Sequence, residues 1–177
     1  QVPFQLLGNE TLSAEQWAGQ ARNMGWQGLR MNLNTLARHG AFQVPGCTEY
    51  VAARLADAGE VAKARVYPYQ LLAAYRMAGD EVPQPVREAL QDALELSLAN
   101  VPALAGNVVV CPDVSGSMHS PVTGYRQGAT TAVRCIDVAA LVAAAVLRKQ
   151  PAARVMPFER GVVNIHLNPR DSVMSNA

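Results

Sequence analysis

The chain of 177 residues lacks the short motifs that announce common enzyme classes. It has no Gly-x-x-x-x-Gly-Lys-Ser/Thr loop, no Gly-x-Gly-x-x-Gly, no His-Glu-x-x-His and no Cys-x-x-Cys. Phosphate-loop, dinucleotide, metalloprotease and dithiol chemistry therefore have no local signature here. Cysteine is scarce: Cys47, Cys111 and Cys135 are odd in number and lack the paired spacing of a zinc site. Free, buried thiols in a reducing, cytoplasmic compartment are the expectation. Long apolar runs are absent too, since nothing approaches the roughly 18 uncharged residues of a membrane span. The apolar stretch 138–147 is too short, and no secretory pattern opens the chain at Gln1. No membrane partner is expected.

An excess of one charge is also missing. The net charge is +1, and residues 1–80 carry seven Lys or Arg against six Asp or Glu. Residues 113–177 carry seven against four. Composition gives no reason to expect nucleic acid, so any basic surface has to be assembled by folding. Half of the residues are hydrophobic, enough for a substantial core in one or two domains.

The most informative stretch is Val108-Val109-Val110-Cys111-Pro112-Asp113-Val114-Ser115-Gly116-Ser117-Met118. A β-branched run of this kind suits a buried central strand. It stops at an Asp-x-Ser-x-Ser cluster, where one carboxylate and two hydroxyls fall within five residues. That donor set suits a hard divalent cation, with Mg²⁺ the first candidate. Asp113, Ser115 and Ser117 are the candidate ligands, and Gly116 lets the backbone bend between the serines. The same residue types also build ordinary turns and helix N-caps. A helix expected over 136–149 completes a strand, loop and helix pattern, and ligands bind at the carboxyl ends of strands in open α/β sheets.

Upstream the pattern is helical. Ser13, with Gln16 at the capping-box position, predicts a helix through about Met24. A second helix is expected over 26–39, where Leu29, Leu33 and Leu36 keep helical spacing and Gly40 can end it. Arg30, Asn34 and Arg38 share its polar face and could meet phosphates there, although arginine on such a face is more often simply solvated. His39 suits the helix C-terminus. Further helices are expected at 47–58, 60–64, 68–78 and 85–100. Tyr67, Tyr69 and Tyr75 are assigned to the core rather than to base stacking. The division drawn is a helical segment over 1–101, a linker over 102–107 and an α/β segment over 108–177.

Asp113-Val-Ser115-Gly-Ser117-Met118 resembles the metal-ion-dependent adhesion site of a von Willebrand factor A domain. That resemblance implies direct or water-mediated ion contacts from Asp113, Ser115 and Ser117. Residues 26–39, followed by Lys63-Ala-Arg65-Val-Tyr67-Pro68-Tyr69-Gln70-Leu71-Leu72, resemble the end of a TROVE module. Together they resemble the Ro autoantigen family and its bacterial relatives, in which HEAT-like helical repeats precede a von Willebrand A domain. The fold implied is α plus α/β, with the Rossmann-like domain truncated. The function implied is binding of noncoding RNA without catalysis, with Arg30, Asn34 and Arg38 as the candidate RNA contacts and the ion recruiting a protein carboxylate.

Beyond the helix over 136–149, strands are expected at 154–158 and 161–167 as a hairpin around Glu159 and Arg160, then a turn at 168–171 and the start of another helix. Only three strands of a sheet of about six would then be present, leaving an open edge for the rest of a longer chain or a partner to cover. The threonine and second aspartate that the family adds from later loops have no counterpart, because Thr123, Thr130, Thr131 and Asp137 lie too early. Residues 118–131, with His119, Tyr125 and Arg126, read as a loop beside the ion. Neither His119 nor Ser115 has a recognisable triad partner, which argues against a serine hydrolase. The alternative to RNA binding is a metal-dependent protein-interaction module on a helical scaffold.

Overall fold

The computed structural model describes residues 12–122 and 133–177. The chain forms two compact units that interleave along the sequence, Gln1–Ala64 with Ala78–Ala93 and Arg65–Met77 with Leu94–Ala177. The division drawn from sequence at 102–107 follows composition instead.

In the first unit the capping box forms as expected. Ser13 Oγ accepts from the Gln16 amide at 3.3 Å, and Gln16 Oε1 accepts from the Ser13 amide at 2.8 Å. This starts α1 (Ala14–Asn23) by satisfying two groups that the first turn cannot pair internally. The expected helix over 26–39 is instead two helices, α2 (Trp26–Met31) and α3 (Leu33–Arg38). The break is Asn32, at φ −110° and ψ 14°. Its side-chain amide donates to the Gly28 carbonyl at 2.8 Å, a local bond that competes with the helical ladder. Leucine spacing survives the break, so Leu29, Leu33 and Leu36 remain buried. Gly40, at φ 72°, ends α3 in the left-handed conformation that glycine adopts without a Cβ clash.

Two more helices complete this part of the chain, α4 (Cys47–Leu55) and α5 (Ala58–Ala64). Asp57 Oδ1 accepts from the Glu60 amide at 2.7 Å at the entry to α5. Trp26 is buried, and its indole N–H donates to the Leu55 carbonyl at 3.3 Å. It thereby ties α2 to the end of α4, while Val51, Leu55 and Val61 fill the core.

α6 (Pro68–Met77) lies in the second unit, and α7 (Gln84–Ser97) runs from the first unit into the second. Pro68, Leu71 and Leu72 form the buried face of α6. Tyr67 and Tyr69 flank that face and are exposed at 50% and 39%, which corrects their assignment to the core. Their rings stack on each other with centroids 6.5 Å apart.

β1 (Val109–Val110) and β2 (Arg154–Val155) pair in parallel, Val109 with Arg154 and Val110 with Val155. Parallel neighbours need a crossover, and α8 (Cys135–Lys149) supplies it. Three expected strands thus reduce to two short ones among the described residues. Pro112 and Pro157 lie just beyond the paired residues, and a proline cannot donate to a ladder. Past Pro157 the expected hairpin is reduced to one antiparallel bridge, Phe158 with Val162. Val162, Val163 and Ile165 stay exposed. Val109 is half exposed rather than buried, because among the described residues β1 pairs only with β2. The turn after Asn168 and the short α9 (Val173–Asn176) form as expected.

α8 buries Leu141, Ala144 and Leu147 and leaves Val142 48% exposed. Leu141→Ala is expected to lower stability by about 2–5 kcal/mol, and Val142→Ala by no more than about 0.5 kcal/mol. Urea unfolding of both variants checks this, and equal losses would contradict the assignment of the inner face.

Candidate functional site

The Asp-x-Ser-x-Ser loop lies at the carboxyl end of β1. Beyond the two-residue ladder, the Phe158 amide donates to the Pro112 carbonyl at 3.0 Å and the Val114 amide to the Phe158 carbonyl at 2.9 Å. The backbone around Asp113 is thus clamped to the continuation of β2. Asp113 is half-buried, and its Oδ1 accepts from the Ser115 amide at 2.8 Å. Hydrogen bonds from the Ser115 backbone and side chain hold its carboxyl below the usual aspartate range. The Ser115 and Ser117 hydroxyls lie 3.1 Å apart. Gly116–His119 then forms a single 3₁₀ turn, with the Met118 amide donating to the Ser115 carbonyl at 3.0 Å.

An ionised carboxylate and two adjacent hydroxyls match the oxygen preference of a hard divalent cation, so these residues fit such an ion as part of its shell. Asp113, Ser115 and Ser117 would hold it, with water or another carboxylate in the remaining positions. Among the described residues there is no cluster of three His, Cys, Asp or Glu side chains that could hold a metal ion.

The loop expected over 118–131 is anchored at both ends. Pro121 and Arg134 form an antiparallel bridge, the Val122 amide donates to the Val133 carbonyl at 3.0 Å, and the Cys135 amide donates to the Ser120 carbonyl at 2.9 Å. Tyr125 and Arg126 lie outside the described residues.

A charged cluster beside this loop escaped the sequence reading. Asp137, in the first turn of α8, is only 7% exposed. Its Oδ2 lies 2.8 Å from Arg76 Nη1 of α6, and its Oδ1 lies 3.1 Å from Arg134 Nη2. Burial alone would raise the Asp137 pKa, but hydrogen bonds from the side chain and backbone of Arg134 and from Arg76 outweigh it and hold the group ionised. The Arg134 and Asp137 spacing was legible as an i, i+3 pair. Arg76 lies 61 positions upstream of Asp137, and no local signal joins them.

The three candidate RNA contacts do not share one continuous helix, since Asn32 separates Arg30 from the other two. Arg30 is half-buried and donates twice to Gln27 Oε1, at 3.1 and 3.0 Å. Asn34 Oδ1 accepts from the Gly79 amide at 2.9 Å. Arg38 is exposed in the last turn of α3. His39 caps that helix, with its ring stacked on Trp17 at 4.5 Å. Of the three thiols Cys47 is buried, and burial raises its pKa. Cys135 is half-buried and Cys111 exposed, which corrects the expectation of three buried thiols.

No family model matches the chain. Over 186 aligned residues it is 26% identical to the RNA-binding protein RO60 of Deinococcus radiodurans, covering 98% of this chain and 34% of that protein. The crystal structure of the Deinococcus radiodurans RO (RSR) protein matches it with a TM-score of 0.78 at 24% identity, over 99% of this chain and 37% of that one. The chain is thus similar, at a distance, to a Ro protein. It spans about a third of the length of the relative it matches. Because the match runs almost end to end, it takes in both the helical part and the Asp-x-Ser-x-Ser loop.

The hydrogen bonds at Asp113 are expected to set its titration below that of an ordinary aspartate, and Ser115→Ala is expected to move the midpoint up. Carboxyl chemical shifts followed against pH check this. A wild-type midpoint at or above the ordinary value would contradict the described loop geometry.

Proposed function

We propose that this chain is part of a noncatalytic RNA-binding protein of the Ro type, acting on small or misfolded noncoding RNA in stabilisation or quality control. The observation that carries the proposal is its nearly end-to-end similarity to the RNA-binding protein RO60 of Deinococcus radiodurans. The match in fold to the RO protein of that organism supports the same architecture. On this proposal, residues 1–101 form a TROVE-like, HEAT-like helical segment and 102–107 a linker. Residues 108–177 contribute the strand, ion loop and helix with which a von Willebrand A domain opens. Asp113, Ser115 and Ser117 hold a divalent cation, with Mg²⁺ as the candidate, for recruitment of a protein that supplies a carboxylate. The exposed edge of β1 is covered by further chain or by a partner, and the working compartment is the cytoplasm.

RNA contact is assigned foremost to Arg38, which projects from the end of α3, with Arg30 and Asn34 in support. A metal-dependent protein-interaction module that binds no RNA is the second proposal. It is favoured by the balanced charge and by the internal bonds of Arg30 and Asn34.

Affinity for a structured noncoding RNA, followed by fluorescence anisotropy in the natural full-length chain, is expected to fall linearly on logarithmic axes as salt rises. Arg38→Ala is expected to weaken binding and flatten the salt slope by about one, while Asp113→Ala leaves both unchanged. Absence of RNA affinity at low salt, together with divalent-dependent protein binding abolished by Asp113→Ala, would favour the second proposal.

A further inference from the structure

We propose that Asp137 is a positioning residue of the ion loop, holding through Arg134 the turn that carries Ser117. This rests on the assignment of Asp113, Ser115 and Ser117 as ion ligands. The Asp137 oxygens are already engaged. Oδ2 accepts from the Arg134 amide at 2.7 Å and from Arg134 Nε at 3.3 Å, besides its contact with Arg76. Oδ1 accepts from Arg134 Nη2 at 3.1 Å. A carboxylate so occupied is not itself an ion ligand, but it fixes the Arg134 guanidinium in one orientation.

The remaining arm of that guanidinium reaches the loop. Arg134 Nη1 lies 3.2 Å from His119 Nδ1, and His119 ends the 3₁₀ turn that holds Ser117. The backbone reinforces the link, since Arg134 bridges Pro121 and the Cys135 amide donates to the Ser120 carbonyl. The turn is therefore moored to the start of α8 by side chain and main chain together. The planar, five-donor guanidinium can bind carboxylate and imidazole at once, which an ammonium cannot do with the same geometry. Groups outside the coordination shell that orient ligands in this way affect metal affinity strongly.

The test is Mn²⁺ binding to the natural full-length chain, followed by electron paramagnetic resonance, with circular dichroism confirming that each variant is folded. Asp113→Ala is expected to abolish binding. Asp137→Asn and Arg134→Lys are expected to weaken it about 10- to 100-fold. Arg76→Met removes the α6 contact but leaves the link from Arg134 to His119, and is expected to stay close to wild type in affinity even where it lowers thermal stability. Loss in Asp113→Ala with wild-type affinity in folded Asp137→Asn would overturn the positioning role and leave the ion site standing. An equal loss in Arg76→Met would reduce Asp137 to general stability and overturn the proposal. Failure of the wild type to bind Mn²⁺ would remove the ion site and this proposal with it.

Discussion

A carboxylate almost removed from water must be compensated by charge and hydrogen bonds, or it becomes protonated. Asp137 is compensated from two directions, by Arg76 on α6 and by Arg134 at the entrance to α8. The two arginines are partly exposed and the aspartate is not, so their ends remain hydrated while the shared charge sits inside. This geometry joins three parts of the second unit: the helix α6, the crossover helix α8 and the loop that follows β1. The buried faces of Leu71 and Leu72 on α6 and of Leu141 and Ala144 on α8 provide the non-directional part of the packing. The ionic cluster adds direction, because a guanidinium fork accepts few alternative alignments.

The Asp-x-Ser-x-Ser loop is held by the short parallel ladder and by the Arg134 link to His119. The ladder places Asp113 at the carboxyl end of β1, and the Phe158 segment holds the flanking backbone. Asp113 then draws the Ser115 amide inward, and the two serine hydroxyls come together. Every donor in this set is oxygen, which favours a small hard cation over a softer transition metal. With a single loop carboxylate, such a cation would keep several coordination positions for water or for a partner's acidic group.

Much of this was legible locally. The Ser13 and Gln16 capping box, the glycine that ends α3 and the position of α8 are written in short-range pattern, and the fold follows them. The break at Asn32 was not legible, because the leucine spacing continues through it while a side-chain bond to Gly28 interrupts the helix. Strand lengths were overestimated because apolar β-branched runs show propensity without showing partners. Pro112 and Pro157 limit what can pair. Tyr67 and Tyr69 were assigned inward on residue type, whereas the spacing of Pro68, Leu71 and Leu72 had already fixed the inner face. The Asp-x-Ser-x-Ser cluster was legible as a unit, but the contact of Arg76 with Asp137 is a product of tertiary structure alone.

The helical part sets the harder chemical problem, since residues 1–101 carry no basic excess and two of its three candidate contacts already serve internal bonds. Similarity to an RNA-binding relative and an exposed Arg38 favour RNA. The most direct measurement is to purify the natural full-length protein from its own cells at low salt and sequence whatever RNA accompanies it. Enrichment of a few defined, structured noncoding RNAs over total cellular RNA is expected. A preparation that carries no RNA, or only a sample proportional to the cellular pool, would contradict it.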